Sequence, residues 1–424
     1  MIRIFTKIIP DWNASGYYRQ LQPLAIMSRY KLADVTIDRY DSRTPPQAIA
    51  EAMAYADICW FYQPMSHIVV TSIEETHKWK SYWRTESEWT TPVSFCTDTD
   101  DDLFNISPLN AAFRTLGVRV DDKELQVSAD PNNPTTISTK DAKGDPFVLW
   151  KDGTEGFDIA RNKATLATYA HTLAASAMVT CSTPRSADYV KKWAGSPNTV
   201  VIPNCANFDD YDMVELADKG KEVRMLWQGS STHLEDLHPL RASITSLLEK
   251  HPNLTLYIWG AQYIDPLWNP DQIKFLPWAD YREYKLRLAM LNHDINIAPL
   301  TPTTFNLSRS AIKVYESGAL HRPIPTVAQR TGAYADEMIN DETALLFDTP
   351  EEFEAQVTRL IESRELRDTI AHNCKDWLRA NRDPVHWAQV LLTQFTHLRK
   401  IKADVLGPPP AEEIVLESVP PDDH

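Results

Sequence analysis

Lys313 and Glu316 stand three residues apart behind Ser308-Arg309-Ser310, in the stretch FNLSRSAIKVYESGALHRPIPTV from Phe305 to Val327. Small polar residues there lead into a helical pattern. At a helix entrance the unpaired backbone N–H groups and the axial dipole make a ready anion site. On such a helix the three-residue spacing brings the ammonium and the carboxylate near one face. A cation facing a diphosphate and a carboxylate accepting two ribose hydroxyls are what a ligand containing both groups requires. The competing reading is a surface Lys–Glu pair, common at this spacing and worth little in stability.

Three further clusters carry chemistry. VRMLWQ, 223–228, reads as a strand running into Gly229-Ser230-Ser231-Thr232-His233. The glycine permits close backbone approach and the hydroxyls can donate to phosphate oxygens; alternatively this is a plain turn capped by Ser231 or Asp236. PVSFC, 92–96, is a buried-type strand that ends in Asp98, Asp100, Asp101 and Asp102. Carboxylates crowded at a strand's end repel one another, which raises at least one pKa and suits a general base toward an acceptor hydroxyl. Asp100 and Asp101, with Asp98 beside them, are the candidates for that role. The alternative is an acidic turn whose aspartate caps the following LFNISPL. The run lacks the sixth-position glycine and the later glutamate of an EF-hand loop. Near the start, DWNASGYYRQLQPL offers Tyr17, Tyr18 and Arg19, which can stack on and hydrogen-bond a sugar or base, or simply pack internally.

The elements that must position these residues alternate twice between apolar strand-like runs and helical patterns, the signature of two doubly wound α/β units with parallel sheets. In the first half the strands are IRIFTKII, DVTID, ADICWF, PVSFC, SAMVTCS and TVVIP; in the second they are VRMLWQ, LTLYIWG, IKFLP, HDINIAP and PIPTVA. Helical patterns include QAIAEAMAY, HPLRASITSLLEKH, REYKLRLAML and EEFEAQVTRLIESR. The expected domains are 1–204 and 222–385, joined by a polar, turn-rich linker at 205–221. A helix over 386–406 is expected to return to the first domain. The polar stretch 121–146 reads as an excursion, a loop or hairpin on the acceptor side. The acidic, proline-rich tail 407–424 has too little apolar content to order itself.

Composition narrows the function. The chain has 424 residues, five scattered cysteines and a formal charge of −15. That balance disfavours non-specific nucleic-acid binding, which needs clustered Lys and Arg. No CxxC or HExxH is present, and His233 and His238 are five apart, so no metal site is expected and the sequence requires no divalent metal. No apolar run approaches a membrane span and the N-terminus lacks a signal peptide's pattern, so the protein reads as cytoplasmic. The absence of GxGxxG after any strand argues against an oxidoreductase.

The strand, APL, FN.SRS.IK..E and GA..RPIP succession resembles the donor-binding helix of GT-B glycosyltransferases, in particular relatives of glycosyltransferase family 4. Together with DxDDDLFN and the GYYR-like start, it also resembles phage and bacterial GT-B proteins. The resemblance covers most of residues 1–385. It implies two Rossmann-like domains facing across a cleft, and a nucleotide-sugar, such as a UDP-sugar, as co-substrate without any tightly bound cofactor. In those enzymes the glutamate matching Glu316 grips the donor ribose, and residues matching Ser310, Ala311 and Ile312 supply N–H groups to the diphosphate. The loop matching Gly229, Ser230 and His233 faces that diphosphate. The glycine loop after the first strand, occupied here by Gly16, Tyr18 and Arg19, contacts donor or acceptor. The family often carries a second glutamate where Ser308 stands, within a segment that includes Asn306. The implied activity is transfer of a hexose or pentose to a hydroxyl of a saccharide or of a hydroxymethylated base in DNA; the alternative is a catalytically silent nucleotide-sugar-binding module. Aromatic and basic residues of HKWKSYWRTESEW, with Lys78, Lys80 and Arg84, suit stacking and phosphate contact, or else form an amphipathic helix.

Overall fold

The computed structural model describes residues 1–8, 14–39, 46–65, 93–119, 128–130, 133–140, 144–196, 198–211, 216, 219–263 and 265–400. The aromatic and basic stretch with Lys78, Lys80 and Arg84, and the tail 407–424, lie outside them. The chain divides into two compact units.

The first unit comprises Met1–Ile9, Met27–Val201 and the stretch from Leu391. Its main sheet is built from β1 (Ile2–Ile8), β2 (Ala33–Arg39), β3 (Ile58–Tyr62), β4 (Ser94–Thr99), β8 (Met178–Cys181) and β9 (Thr199–Val201), in the order β2-β1-β3-β4-β8-β9. Every pairing in it is parallel. β4 and β8 are buried along their whole length, which is why neither alternates apolar with exposed polar residues, β4 carrying the buried Asp98 near its end. One core face joins Phe5, Ile49, Met53, Cys59, Phe61 and Phe95. The helix Pro184–Ala194 begins with a Thr183–Ser186 capping box and ends at Gly195 in the left-handed region, so its length is set by local sequence.

The polar excursion contains an antiparallel sheet of β5 (Ser128–Asp130), β6 (Asn133–Lys140) and β7 (Pro146–Lys151). The last helix, Pro384–Lys400, ends in the first unit. There Phe395 meets Trp60 edge-on at 5.6 Å and Arg399 lies 3.7 Å from the buried Asp57 carboxylate.

The second unit comprises Pro10–Ile26 and Ile202–Val390. Its sheet consists of β10 (Val223–Gly229), β11 (Leu254–Gly260), β12 (Ile273–Leu276), β13 (Ile295–Ala298), β14 (Thr326–Gln329) and β15 (Leu345–Phe347). The order is β12-β11-β10-β13-β14-β15, all parallel. Numbered within the unit this is 3-2-1-4-5-6, the dinucleotide-binding order, which reverses between β10 and β13. β15 is short and was not among the expected strands. The helical pattern EEFEAQVTRLIESR breaks at Ser363, which caps a new helix, Arg364–Asn381.

Two boundaries differ from the sequence expectation. Residues 10–26, expected in the first domain, group with the second unit because Arg19 is buried there, its Nη1 donating to the carbonyl of Ile202 (2.5 Å) and to Asn204 (3.0 Å). Residues 205–211, expected as linker, are packed: Ala206 and Tyr211 are buried in the same core as Leu226, Trp259 and Tyr315. Their apolar members outweigh the polar neighbours that suggested a linker.

Candidate functional site

In open parallel sheets ligands bind beyond the carboxyl ends of the strands where the order reverses. In the second unit those ends are Gly229 of β10 and the segment following Ala298 of β13, adjacent in register through Trp227 and Ile297. Gly229 is held to be a glycine by packing, since a Cβ there would stand 2.9 Å from His233 Cβ and 3.0 Å from the Trp227 ring. Ser230 caps the following turn, its Oγ accepting from the Thr232 N–H at 3.4 Å and lying 2.6 Å from the Thr232 hydroxyl. The cap is thus Ser230, whereas the sequence pointed to Ser231 or Asp236.

Three nitrogen-bearing side chains converge beside this turn. His233 Nδ1 lies 2.8 Å from Asp236 Oδ2, and its Nε2 lies 2.9 Å from Arg309 Nη1. Burial, reinforced by the charges of Lys313 and Arg309, pushes the His233 pKa down to about 3. The ring is therefore neutral at pH 7, and one tautomer serves both contacts: Nδ1–H donates to Asp236 while Nε2 accepts from Arg309. Lys313 Nζ is 3.5 Å from the same ring, and burial lowers its pKa to about 8. The guanidinium of Arg309 also sits 4.9 Å over Phe305. Two cations, a neutral imidazole and the start of the helix Ile312–Ala319, whose N-cap Ala311 offers no side-chain acceptor, form an anion-binding arrangement.

The same helix carries Glu316, which is 4% exposed. Tyr18 donates its hydroxyl to Oε1 at 2.8 Å, and Gln228 donates Nε2–H to Oε2 at 3.1 Å. The Tyr284 hydroxyl lies 2.8 Å from Oε2 and 2.7 Å from Gln228 Oε1, so its single proton serves one of them at a time. Burial pushes the Glu316 carboxyl above the usual range, against those phenol hydrogen bonds and the nearby Lys285 and Lys313 charges. The helix is fixed by close packing: a Cβ on Gly318 would stand 2.7 Å from Leu378 and 2.8 Å from Cys374 Sγ, so only glycine lets the helix Arg364–Asn381 approach.

The remaining expected donor residues are placed unequally. Ser310 Oγ accepts from Asn204 Nδ2 at 2.8 Å, linking the helix entrance to Arg19. Asn306 is fully buried, donating to Asp236 Oδ1 and the carbonyl of Thr301, both at 2.9 Å. It therefore holds Asp236, and through it His233, rather than presenting itself to a ligand. Ser308 is buried and donates to the carbonyl of Phe305 at 2.8 Å. Gly16 is not in a glycine loop: Ala14–Gly16, a π-helical turn Tyr17–Leu21 and Gln22–Arg29 form one helical run, and Gly16 has an ordinary φ of −59°. Arg19 is spent on internal contacts and not available to stack on a ligand. Arg309, Gln228, Tyr284 and Asp236 were not singled out from sequence as ligand residues; the only signal was Arg309's place within the SRS triplet.

In the first unit Asp98 lies within β4, and Asp100, Asp101 and Asp102 follow it. Asp98 is fully buried and accepts from Thr180 Oγ1 at 2.5 Å. Asp100 accepts from the Tyr62 hydroxyl at 2.7 Å and from Gln63 at 3.2 Å. Asp101 is partly exposed, the one member of the four that is not buried. Asp102 caps the turn Leu103–Asn105, accepting from the Phe104 N–H and from Asn105 Nδ2. The raised pKa expected of this cluster is found at Asp102, pushed up to about 6, and its cause is burial rather than repulsion.

Among the described residues no group of three or more His, Cys, Asp or Glu side chains is arranged to hold a metal ion, and no helix is long and apolar enough to cross a membrane.

A parallel 3-2-1-4-5-6 sheet with a helix opening beyond the reversal point defines a Rossmann-like unit. Residues 241–393 match the family model described as Glycosyl transferase-like. The chain is similar in structure to a glycosyltransferase from Rickettsia africae, with TM-score 0.58 and 13% identity over 94% of this chain and 99% of that one. It is similar to HepE of Anabaena, solved with UDP, with TM-score 0.57 and 12% identity over 94% of this chain and 100% of the other. It is also similar to an alpha-glucosyltransferase solved with UDP and a 13-mer DNA containing a HMU base, with TM-score 0.54 and 10% identity over 93% of this chain and 99% of that chain. No curated protein sequence matches the chain. The fold is that of the GT-B glycosyltransferases, with two Rossmann-like units.

Proposed function

We propose that the chain transfers a hexose from a nucleoside-diphosphate sugar, bound in the second unit, to an acceptor hydroxyl. The observation that carries this reading is the joint placement of Arg309, Lys313 and Glu316 beyond β10 and β13. In it the diphosphate lies against Arg309, Lys313 and the N–H groups at the start of Ile312–Ala319, with Gly229 and Ser230 beside it. Glu316 accepts hydrogen bonds from the ribose. Preorganised cations held in a partly dry site stabilise charge growing on the departing diphosphate, while fixed contacts to the ribose orient the anomeric carbon. His233, locked neutral between Asp236 and Arg309, sets the guanidinium's direction without adding charge.

Acceptor activation is assigned to the aspartates after β4, with Asp101 as the partly exposed carboxylate and Asp100 beside it. UDP is the nucleotide of choice, on the strength of the complexes formed by HepE. The acceptor is a saccharide hydroxyl or a hydroxymethylated base, the second supported by the glucosyltransferase bound to HMU-containing DNA. The test is incubation with UDP-glucose, UDP-N-acetylglucosamine and GDP-mannose, each with an oligosaccharide mixture or with DNA containing hydroxymethylated bases, followed by product mass. A mass gain of one hexose on either acceptor class supports the reading and identifies the acceptor. Neither transfer nor donor hydrolysis in any arm sinks it.

A further inference from the structure

Resting on Glu316 as the ribose carboxylate, we propose that Tyr18 is a displaceable cap on it, so that a nucleotide binds by replacing the Tyr18 phenol. A carboxylate offers about four acceptor positions. In the structure both Glu316 oxygens already have partners, Tyr18 on Oε1 and Gln228 with Tyr284 on Oε2. A ribose diol brings two more donors to a group that is almost wholly enclosed; a place on Oε2 opens when Tyr284 turns its proton to Gln228 Oε1, and a place on Oε1 opens when Tyr18 leaves.

The three residents are not equally held. Gln228 lies on β10, in the middle of the sheet. Tyr284 is on the helix Tyr281–Met290, its ring tilted against Trp259 at 4.9 Å. Tyr18 belongs to neither the sheet nor its flanking helices. It sits in the π-helical turn Tyr17–Leu21, closed by the Gln22 N–H to the Tyr17 carbonyl, and such turns are uncommon and costlier than α-helical ones. The neighbours on either side are pinned: Tyr17 donates to Asp210 at 2.6 Å beneath the Lys285 ammonium, 3.4 Å from its ring, and Arg19 is fixed to Ile202 and Asn204. The segment therefore stays docked while the Tyr18 side chain alone swings off Oε1. The neighbouring Tyr211 hydroxyl, 3.5 Å from that of Tyr18, is an alternative partner for the released phenol. Apparent affinity is reduced by the fraction of molecules in the capped state.

The test is calorimetry on wild type, Tyr18→Phe, Glu316→Gln and the double variant, with UDP, GDP, ADP and inorganic pyrophosphate. Tyr18→Phe keeps the ring, which packs against Tyr17 and Tyr281 at 5.4 and 5.3 Å, so the fold is retained. The expected result is about tenfold tighter binding of the preferred nucleoside diphosphate by Tyr18→Phe, unchanged pyrophosphate binding, and no gain from Tyr18→Phe in the Glu316→Gln background. Equal or weaker nucleotide binding by Tyr18→Phe, with pyrophosphate unchanged, overturns the cap and leaves the donor site standing. Wild type that binds neither nucleotide nor pyrophosphate overturns the donor site and the cap together.

Discussion

The carboxylates at the end of β4 and the carboxylate on Ile312–Ala319 are both crowded and largely buried, yet they stand in different settings. Asp102 is satisfied by Phe104 and Asn105, its neighbours in sequence, and Asp98 and Asp100 by side chains of adjacent strands or their ends. Glu316 takes its hydrogen bonds from Gln228, Tyr284 and Tyr18, which is 298 residues away in the chain. The first arrangement resembles what any acidic strand end does to cap itself. The second serves no local backbone, and it stands one helical turn from Lys313. Burial alone therefore does not mark a functional carboxylate, and neither does a distant donor, since Thr180 reaches Asp98 from 82 residues away; what sets Glu316 apart is its place behind Lys313 on the helix that opens beside the ends of β10 and β13.

The comparison breaks most sharply if the β4 aspartates are only a cap. Replacing Asp100 and Asp101 together by Asn is expected to cut transfer by about a hundredfold or more, as for loss of a general base, with nucleotide affinity unchanged by calorimetry. Normal transfer by this double variant would falsify the base assignment and reduce the whole run to structure.

Arg309→Ala tests the other side. Removing a charged hydrogen-bond donor from the diphosphate is expected to weaken UDP and pyrophosphate binding alike, by about 1.5–3 kcal/mol, and Arg309→Lys to restore only part of it. Unaltered pyrophosphate affinity in Arg309→Ala means the anion lies elsewhere.

Asp102 sharpens the contrast through stability. Its folded pKa of about 6 lies above the ordinary aspartate value of about 3.9. The folded state thus favours the protonated form, so this group's contribution to stability is fully present below about pH 4 and is lost as pH rises through about 6, about 3 kcal/mol in all. Asp102→Asn is expected to flatten that part of the stability curve in urea titrations. An identical slope in wild type and variant would show that burial of Asp102 is not its source.

The smallest effect concerns Lys313, with its pKa of about 8. Only the ammonium helps bind a diphosphate, so UDP affinity should decline between about pH 7.5 and 9.5, approaching tenfold per unit at most. Lys313→Arg should remove that decline, since arginine stays charged. A wild-type affinity that is flat across this range would place Lys313 away from the phosphates.

Much of the fold was legible because the relevant forces are local. Buried parallel strands show as short apolar runs, and eleven of the twelve strands in the two parallel sheets lie where those runs predict; β15, of three residues, was too short to stand out. For the small antiparallel sheet the sequence offered only a loop or hairpin over 121–146, because β7 is mostly exposed and carries no alternating burial. The spacing of Lys313 and Glu316 likewise follows from helical periodicity, which three residues of sequence suffice to show.

What sequence determined, then, was the double α/β alternation, the helix bearing a cation and a carboxylate, and the strand ending in aspartates. Tertiary structure alone decided which of these side chains remain available to a ligand. The 3-2-1-4-5-6 order brings the end of β10 beside the segment after β13, and only that adjacency turns Arg309 toward His233, 76 residues away, and commits Asn306 to Asp236. The packing of residues 14–26 commits Arg19 to Ile202 and Asn204 and lays Tyr18 on Glu316. Local periodicity fixes a side chain's face on its own element, whereas its partner depends on strand order and on which segments the core recruits, and neither is encoded within a few residues of the site.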